Sequence, residues 1–345
     1  MFSNIIAPMQ KMVDALLVVS VGGPEGPDEV FPFLNNIQQG SRGGIPEKRL
    51  AAVAERYMAR GGISPANHEN RKIISSLRLL LRKEGPDIPV YLGNRFSRPY
   101  LSETLEEMKS DGIRYAFALV TSPFGSDFSC WYYRKAIEEA RRKIGESAPQ
   151  IKKLRLFFNH PCFIEAQASR LEEAVINSGL SKKDTPLIFT AHSLPSEFAS
   201  TSLYKKQIRE TCSLIAGQCG MKSWTLAFQS RSGEPSQQWL GPPPDIVIKN
   251  QAELGARQIL VMPAGFMYDN MEIIYDLDEE AAGLASSLGI GMVRVKTTGN
   301  HPAIIRMIRK LIQEQIQEST EREFIGNMGA ADDDCMNCLC TKDQG

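Results

Sequence analysis

Ala15-Leu16-Leu17-Val18-Val19-Ser20-Val21-Gly22-Gly23-Pro24 is the stretch that first indicates the fold of this chain. An uninterrupted apolar run that ends in turn residues is typical of a parallel strand that is buried on both faces. The stretch Leu187-Ile188-Phe189-Thr190-Ala191-His192-Ser193-Leu194-Pro195 repeats this pattern in the second part of the chain. Each run is followed by a turn that contains proline. Two such strands, far apart in the sequence, predict two similar α/β units.

Short apolar segments bounded by Gly, Pro, Asn or Ser recur along the chain, and stretches of helical periodicity lie between them. Further strands are predicted at residues 90–92, 116–120, 154–158, 225–228, 259–262 and 293–295, and helices at residues 100–110, 134–144, 164–176 and 303–316. This alternation of strand and helix predicts parallel sheets that are flanked by helices.

A faint internal repeat supports the division into halves. Gly93-Asn94-Arg95 and Gln229-Ser230-Arg231 each follow a predicted strand and precede a helix. We predict two similar Rossmann-like α/β domains, residues 14–160 and 161–318, and a cysteine-containing tail at residues 319–345. Ligands of open α/β sheets bind at the carboxyl ends of the strands, so we expect the turns after the strands to line one cleft between the halves.

Composition limits the class of function. The 345 residues include 40 basic and 40 acidic side chains, so the formal net charge is zero. A nucleic-acid-binding protein needs a basic excess to neutralise phosphates, and we therefore expect no nucleic-acid partner. No apolar run approaches the ~18 residues needed to cross a bilayer, so we expect a cytoplasmic protein without stable membrane insertion.

Histidine is scarce, with four in the chain. His192 follows the strand predicted at residues 187–190, where a side chain would point into the cleft. It is either a hydrogen-bonded structural residue or a functional one, and its position leaves both open. His160 is expected to be structural, and His68 and His301 lie at predicted helix starts. His192 is therefore the histidine to consider for chemistry.

Three carboxylates recur at a spacing of four residues, Glu272, Asp276 and Glu280. This spacing places them on one stripe of an α-helix, where like charges repel each other. The stripe is either a solvated acidic face or a site that guides a divalent cation or takes up protons. A histidine and a carboxylate that face each other across a cleft suit Fe²⁺, and they can also accept protons from a substrate.

Seven cysteines form a poor disulfide framework because their number is odd. Cys335, Cys338 and Cys340 are crowded near the carboxyl terminus, after three aspartates. The tail is either a metal-ligand cluster, a disordered acidic segment or a group of thiols that scavenge metal. Cys162, Cys212 and Cys219 are expected to be buried apolar residues.

In these motifs the chain resembles the ferrochelatases. The shared segments are residues 22–27, 32–37, 61–65, 190–195, 239–242 and 265–278, in the order seen in that family, and the resemblance covers residues 14–315. Residues 91–95, 121–124 and 157–161 are most similar to the actinobacterial and Gram-positive branch, which inserts ferrous iron into coproporphyrin III. The resemblance implies a chelatase-type fold and a lyase of heme biosynthesis. Its substrates would be Fe²⁺ and coproporphyrin III, and its product would pass to a coproheme decarboxylase.

The resemblance also implies roles for individual residues. His192 and Glu272 would face each other across the metal site, and Asp276 and Glu280 would continue the acidic row. The residues implied to contact the porphyrin are Ser64, Tyr133, Arg56 and Tyr57, the last two near its propionates. We expect His192 to be largely neutral at neutral pH, because the unperturbed pKa of histidine is about 6.5.

A 2Fe-2S cluster is implied by Cys130, which matches the internal cysteine ligand of such a cluster in the actinobacterial relatives. Together with Cys335, Cys338 and Cys340 it would complete a set of four thiolates. The CxxCxC spacing of the tail is tighter than the spacing in those relatives.

Two alternative functions stay open. A protoporphyrin IX ferrochelatase would share the catalytic pair, but the polar residues 38–44 favour the four-carboxylate substrate. A tetrapyrrole or metal carrier without turnover is the second alternative. Asn270 stands where most ferrochelatases have histidine, and in a carrier it would be a sign of lost chemistry.

Overall fold

The computed structural model describes residues 13–40, 46–232 and 236–333. Within these residues the strands form two parallel four-stranded sheets. The first sheet has the order β2-β1-β3-β4, with β1 (Ala15–Ser20), β2 (Val90–Asn94), β3 (Tyr115–Val120) and β4 (Gln150–Lys153). The second has the order β6-β5-β7-β8, with β5 (Leu187–His192), β6 (Trp224–Gln229), β7 (Gln258–Met262) and β8 (Gly291–Arg294). The two sheets therefore have the same topology.

Helices connect the strands and cover both faces of each sheet. The helices are α1 (Pro27–Gln39), α2 (Glu47–Met58), α3 (Ala66–Glu84), α4 (Leu101–Ser110), α5 (Tyr132–Ile144), α6 (Pro161–Ser178), α7 (Ser196–Ser200), α8 (Tyr204–Cys219), α9 (Pro244–Glu253), α10 (Met271–Ile273), α11 (Ala282–Ser287) and α12 (Pro302–Ile316). Two segments, Asp127–Trp131 and Ile274–Ala281, are π-helical and lie directly before α5 and between α10 and α11.

The core lies in layers. Leu16 and Val18 point towards a large central core, whereas Leu17 and Val19 point to the opposite face of the sheet. Helices α3, α6, α8 and α12 supply the central core between the sheets, α4 and α5 cover the outer face of the first sheet, and α9 with the helical residues 273–285 covers that of the second. Burial on both faces explains why the strands are uninterrupted apolar runs.

The predicted helices and most predicted strands overlap the observed ones, but the strand predicted at residues 154–158 is wrong. β4 ends at Lys153, and the Leu154 amide makes a hydrogen bond of 2.8 Å to the Ala118 carbonyl. The chain then enters the central core, where Phe157 and Phe158 are 1% and 2% exposed. A short apolar run has the same sequence signature in a buried connection as in a buried strand.

The structural role expected for His160 is confirmed. Its Nδ1 accepts a hydrogen bond of 3.1 Å from the Cys162 amide and caps α6. His301 caps α12 in the same way, by accepting from the Ala303 amide at 3.2 Å. Cys162, Cys212 and Cys219 are buried as expected. None of the helices in the described part of the chain is long and apolar enough to cross a membrane.

Candidate active site

The carboxyl ends of both sheets open into a cleft of about 420 Å³, a volume typical of ligand-binding sites. The first half contributes the turn after β1, the turn after β2 and the start of α5. The second half contributes the end of β5 and residues 265–276. Helices α1 and α2 also line the cleft and form its outer wall. A small apolar cluster that includes Met271 of the second half packs these helices together. The cleft thus lies where the strand-end rule predicts it.

His192 and Glu272 meet in this cleft. His192 is the last residue of β5, and its Nε2 lies 3.4 Å from Oε1 of Glu272 in α10. Asn270 caps α10, since its Oδ1 accepts a hydrogen bond of 3.0 Å from the Ile273 amide. Nδ1 of His192 lies 2.5 Å from the Ser193 carbonyl, which orients the ring. The residue that departs from the family pattern at position 270 therefore supports the helix that carries Glu272.

His192 and Glu272 stabilise each other's charged form. Burial alone would lower the pKa of His192, but the charge and hydrogen bond of Glu272, together with the Ser193 carbonyl, raise it to about 9. Burial alone would raise the pKa of Glu272, but His192 and Arg49 hold it below its usual value. The expectation of a neutral His192 used the unperturbed pKa and is wrong here, because the nearby carboxylate stabilises the imidazolium.

The acidic row continues outwards from Glu272. Burial raises the pKa of Asp276 to about 6, with further contributions from Glu272 and Glu280, although a hydrogen bond from Ser230 opposes the rise. The side chain of Glu280 is 56% exposed and lies 3.7 Å from Arg56. The three carboxylates therefore run from the His192–Glu272 pair towards the surface, and the middle one can exchange protons near neutral pH.

The helical segment that carries the outer part of the row, Asp276 and Glu280, is not the α-helix expected from the spacing. Ile274–Ala281 is π-helical, with hydrogen bonds from residue i to i+5. The wider turn places residues four positions apart almost directly above one another. A spacing of four is compatible with both helix types, so the sequence pattern did not distinguish them. Single π-helical turns occur frequently at functional sites.

The other residues implied by the resemblance also lie at the cleft. Ser64 and Tyr133 line it from the first half and are 3% and 4% exposed. The Arg56 guanidinium lies over the ring of Tyr275, 3.6 Å from its centroid. Tyr57 packs edge-on against Phe33 in the cluster that holds α1 and α2 together. The fold therefore brings all four to the same cleft as His192 and Glu272.

Two further arginines line the cleft and were not among the candidate residues. The Arg95 guanidinium lies 4.5–5.2 Å from the ring centroids of Phe96, Tyr132 and Tyr133, and burial lowers its pKa. No carboxylate within the described ranges forms an ion pair with it. Arg49 of α2 donates from Nη2 to a backbone carbonyl after β6, at 2.8 Å. The position of Arg95 directly after β2 is the sequence signal that could have identified it.

Cys130 is 2% exposed and packs with Leu156 and Ala331. Cys335, Cys338 and Cys340 lie outside the residues that the structure describes. Among the residues it does describe, no three His, Cys, Asp or Glu side chains form a group that could hold a metal ion.

Two Rossmann-like halves around a cleft define an α/β protein of the chelatase type. The structure is similar in fold to SirB from Bacillus subtilis with Fe³⁺, with a TM-score of 0.57 and 11% identity over 91% of this chain and all of that one. It is also similar to the sirohydrochlorin chelatase SirB from Bacillus subtilis subspecies spizizenii in complex with cobalt, with a TM-score of 0.52 and 11% identity over 91% of this chain and all of that one.

Sequence comparison identifies the family. The sequence model of the ferrochelatases matches residues 13–316, and the chain belongs to the ferrochelatase family. It is 42% identical to the ferrochelatase of Rhodopirellula baltica, over 95% of this chain and 93% of that one. It is 38% identical to the coproporphyrin III ferrochelatase of Mycolicibacterium smegmatis, over 91% of this chain and 93% of that one. The protein is therefore a metal chelatase of the lyase class that acts in heme biosynthesis.

Proposed function

We propose that this protein inserts Fe²⁺ into coproporphyrin III to form coproheme, with His192 and Glu272 on either side of the metal site. The observation that carries the proposal is the 3.4 Å contact between Nε2 of His192 and Oε1 of Glu272, both of which line the cleft of about 420 Å³. Relatives named coproporphyrin III ferrochelatases, at 38–39% identity, support the choice of porphyrin.

The reaction exchanges one Fe²⁺ for the two protons on the pyrrole nitrogens. Glu272 is ionised at neutral pH and can accept a pyrrole proton. Asp276, with its pKa raised to about 6, can receive that proton and pass it outwards to Glu280. His192 is protonated before substrate binds and has to release its proton before Nε2 can act as a base or a metal donor. The acidic row therefore serves as a route for protons or for the incoming cation.

The proposed porphyrin contacts are side chains that line the cleft. Ser64 and Tyr133 face the porphyrin from the first half, while Arg56 and Tyr57 lie in the outer wall. Arg56 approaches Glu280 only to 3.7 Å, so its guanidinium can form a closer pair with a propionate. Coproheme still has four propionates, two more than heme, so we also propose that the product passes to a coproheme decarboxylase in the cytoplasm.

The test is anaerobic turnover with Fe²⁺, followed by loss of porphyrin fluorescence. Coproporphyrin III should be consumed over many turnovers and with a higher kcat/KM than protoporphyrin IX. A higher kcat/KM for protoporphyrin IX would contradict the choice of substrate. Loss of fluorescence limited to one equivalent of porphyrin per protein would instead indicate a carrier without turnover, the alternative function for which Asn270 would be a sign of lost chemistry.

We further propose that Cys130, Cys335, Cys338 and Cys340 ligate a 2Fe-2S cluster, for which four thiolates are a suitable donor set. Ala331 packs against Cys130, and Cys335 follows four residues later. Four residues span at most about 14 Å, so the chain from Ala331 to Cys335 is short enough for Cys335 to ligate the same cluster as Cys130.

One contact to the body of the protein and one within the tail hold the chain that leads to these cysteines. Asn159 donates to the Gly329 carbonyl at 2.7 Å, and Arg322 pairs with Asp333 at 2.8 Å. Purified protein should therefore contain acid-labile sulfide and absorb visible light beyond its porphyrin bands, and Cys130→Ser should lose both. Absence of sulfide from protein purified without oxygen would contradict the cluster.

A further inference from the structure

Arg294 binds two aspartates that belong to one segment of the second half. It is the last residue of β8, an edge strand of its sheet, and its side chain is 18% exposed. Its Nη1 and Nη2 donate to the Asp269 carboxylate at 3.0 and 2.9 Å. Its Nε and Nη2 donate to the Asp278 carboxylate at 2.7 and 3.2 Å. All three nitrogens of the guanidinium are therefore bonded, and residues 269–278 are attached to β8 at both ends.

Glu272 and Asp276 lie between these two attachment points. Asn270, the neighbour of Asp269, caps α10, the helix that carries Glu272. Asp276 and Asp278 are two residues apart, which places them on roughly opposite sides of a helix. Asp276 accordingly lines the cleft, whereas Asp278 reaches β8. The segment is thus held from behind by β8 while its cleft side presents the two carboxylates.

The two aspartates that Arg294 binds depend on it for charge compensation. Among the described residues, no other basic side chain forms an ion pair with Asp269 or Asp278. Thr297 adds a neutral hydrogen bond of 2.8 Å to Asp269. Both carboxylates share Nη2, so without the guanidinium two like charges would face each other across the space that it fills. Loss of Arg294 would therefore release the two ends of the segment from β8 and from each other.

Arg294 does not line the cleft, so it acts on the chemistry only through the residues that it holds in place. We infer that Arg294 is a positioning residue for metal insertion, which fixes Glu272 and Asp276 in the arrangement that the transfer of a pyrrole proton requires. A displacement of about 1 Å can lower a rate about 10²-fold. The inference rests on the proposed function, because it depends on the roles of these two carboxylates.

The test compares the full-length protein with Arg294→Gln. Porphyrin fluorescence in the absence of metal counts the binding sites, and anaerobic turnover with Fe²⁺ then gives kcat per site. This kcat should fall about 10–100-fold, while KM for the porphyrin should change less than about twofold. Arg294→Lys should recover part of kcat, because it restores the charge without the planar fork of donors. A role confined to stability would instead reduce the number of binding sites and leave kcat per site unchanged.

Asp278→Asn tests the same link from its other side, and it retains the pair between Arg294 and Asp269. It should also lower kcat at an unchanged KM. The double variant Arg294→Gln/Asp278→Asn should lose no more kcat than Arg294→Gln alone, because both changes break one contact. Losses that multiply in the double variant would overturn the inference. Arg294→Lys and Asp278→Asn each retain an ion pair to the segment, so they serve as the test if Arg294→Gln does not fold.

Arg306→Gln is the matched control. Arg306 of α12 forms an exposed ion pair with Glu165 at 2.6 Å and does not line the cleft. This variant should leave kcat and KM unchanged. An unchanged kcat per site in Arg294→Gln, together with a lowered kcat in Glu272→Gln, would overturn the role of Arg294 while the proposed function stands. An unchanged kcat in Glu272→Gln would overturn the proposed role of the carboxylates and the inference with it.

Discussion

Val21 and His192 occupy equivalent positions in the two halves of the molecule. Leu16 of β1 and Leu187 of β5 pair with the first residue of the neighbouring edge strand, and Val21 and His192 follow each of them by five residues. Both side chains line the cleft. The side chain of Val21 is a hydrocarbon that does not titrate, whereas His192 carries a titratable imidazole paired with a carboxylate. The two halves have the same topology, and the strand ends of both line one cleft. The titratable pair, His192 and Glu272, comes from the second half.

The strand ends of the first half form a neutral polar network. Asn94 donates to Asn67 Oδ1 at 2.9 Å, Asn70 donates to Ser20 Oγ at 3.0 Å, and the Gly23 amide donates to a serine in the same network. Amide and hydroxyl groups do not titrate near neutral pH, so this network supports the turn after β1 at any working pH. In the first half the strand ends therefore carry neutral groups, and in the second half they carry the titratable His192 and its carboxylate partner.

Both halves also contain a π-helical segment after their third strand. Asp127–Trp131 leads into Tyr132 and Tyr133 of the cleft, and it contains Cys130. Ile274–Ala281 contains the outer part of the acidic row. The repeated use of a wide helical turn brings different side chains to the same cleft, aromatic rings in one half and carboxylates in the other.

The largest effect is expected when the titratable side chain at the end of β5 is removed from the second half. His192→Ala should lower kcat for metal insertion by about 10²–10⁴-fold, the usual contribution of a positioned acid–base group, and leave porphyrin binding largely intact. Val21→Ala, at the equivalent position, should change kcat by less than about threefold, because no proton transfer involves it. Stopped-flow fluorescence measures both. Near-normal insertion by His192→Ala would show that His192 is not essential.

Glu272→Gln tests the effect of the Glu272 carboxylate on His192, a charge that the first half lacks at the equivalent strand end. Without the carboxylate, burial dominates, and the pKa of His192 should fall from about 9 to 6.5 or below. The pH dependence of the imidazole proton shifts in NMR spectra measures this change. A His192 pKa that stays near 9 in the variant would show that another group stabilises the imidazolium.

The same variant should alter stability with a defined pH dependence. A histidine whose pKa is raised by folding stabilises the protein fully below its unfolded pKa of about 6.5 and loses this contribution as the pH rises through about 9. The lowered pKa of Glu272 adds a contribution that is lost at acidic pH. The difference in free energy of unfolding between the unaltered protein and Glu272→Gln should therefore be largest near pH 5–6. A difference that grows towards pH 9 would contradict the ion pair.

Gly265→Ala tests a second difference between the halves, at the residues that follow β3 and β7. The Gly265 amide donates to the Thr190 carbonyl at 3.0 Å, and in the first half Thr121 donates to Val19 at the same distance. A side chain fits at Thr121, but a Cβ at Gly265 would lie 2.6 Å from Ala191. Gly265→Ala should lower the free energy of unfolding by about 1–3 kcal/mol and displace His192, which follows Ala191. Urea denaturation and kcat measure the two effects, and an unchanged midpoint would show that β5 can shift without strain.

The smallest effect is expected at the link between the halves. The Tyr268 hydroxyl lies 2.9 Å from Thr121 Oγ1 and 3.3 Å from Ser20 Oγ, so a residue of the second half meets two strands of the first. Tyr268→Phe should lower the free energy of unfolding by about 1 kcal/mol, which thermal or chemical denaturation can resolve. The two halves also share one apolar core. A loss of several kcal/mol would indicate that this hydrogen-bonded contact, and not the shared core alone, holds the two halves together.

Much of the site was predictable from position. His192 and the acidic row follow buried strands, and that placement directs their side chains into a cleft. Arg49 gave no such signal, because an arginine on an amphipathic helix has the same pattern whether it faces solvent or a ligand. The apolar run at residues 154–158 was misread for a similar reason, since burial alone does not define a strand.

Apolar patterns and turn residues act locally, so they were enough to predict the two α/β halves, the strand ends that line the cleft and the residue types of the His192–Glu272 pair. The tertiary structure decided the charge state of the pair. His192 and Glu272 are distant in sequence, and their 3.4 Å contact sets the pKa of the imidazole. Electrostatic shifts depend on distance and burial in space, and neither can be read from the spacing of residues along the chain.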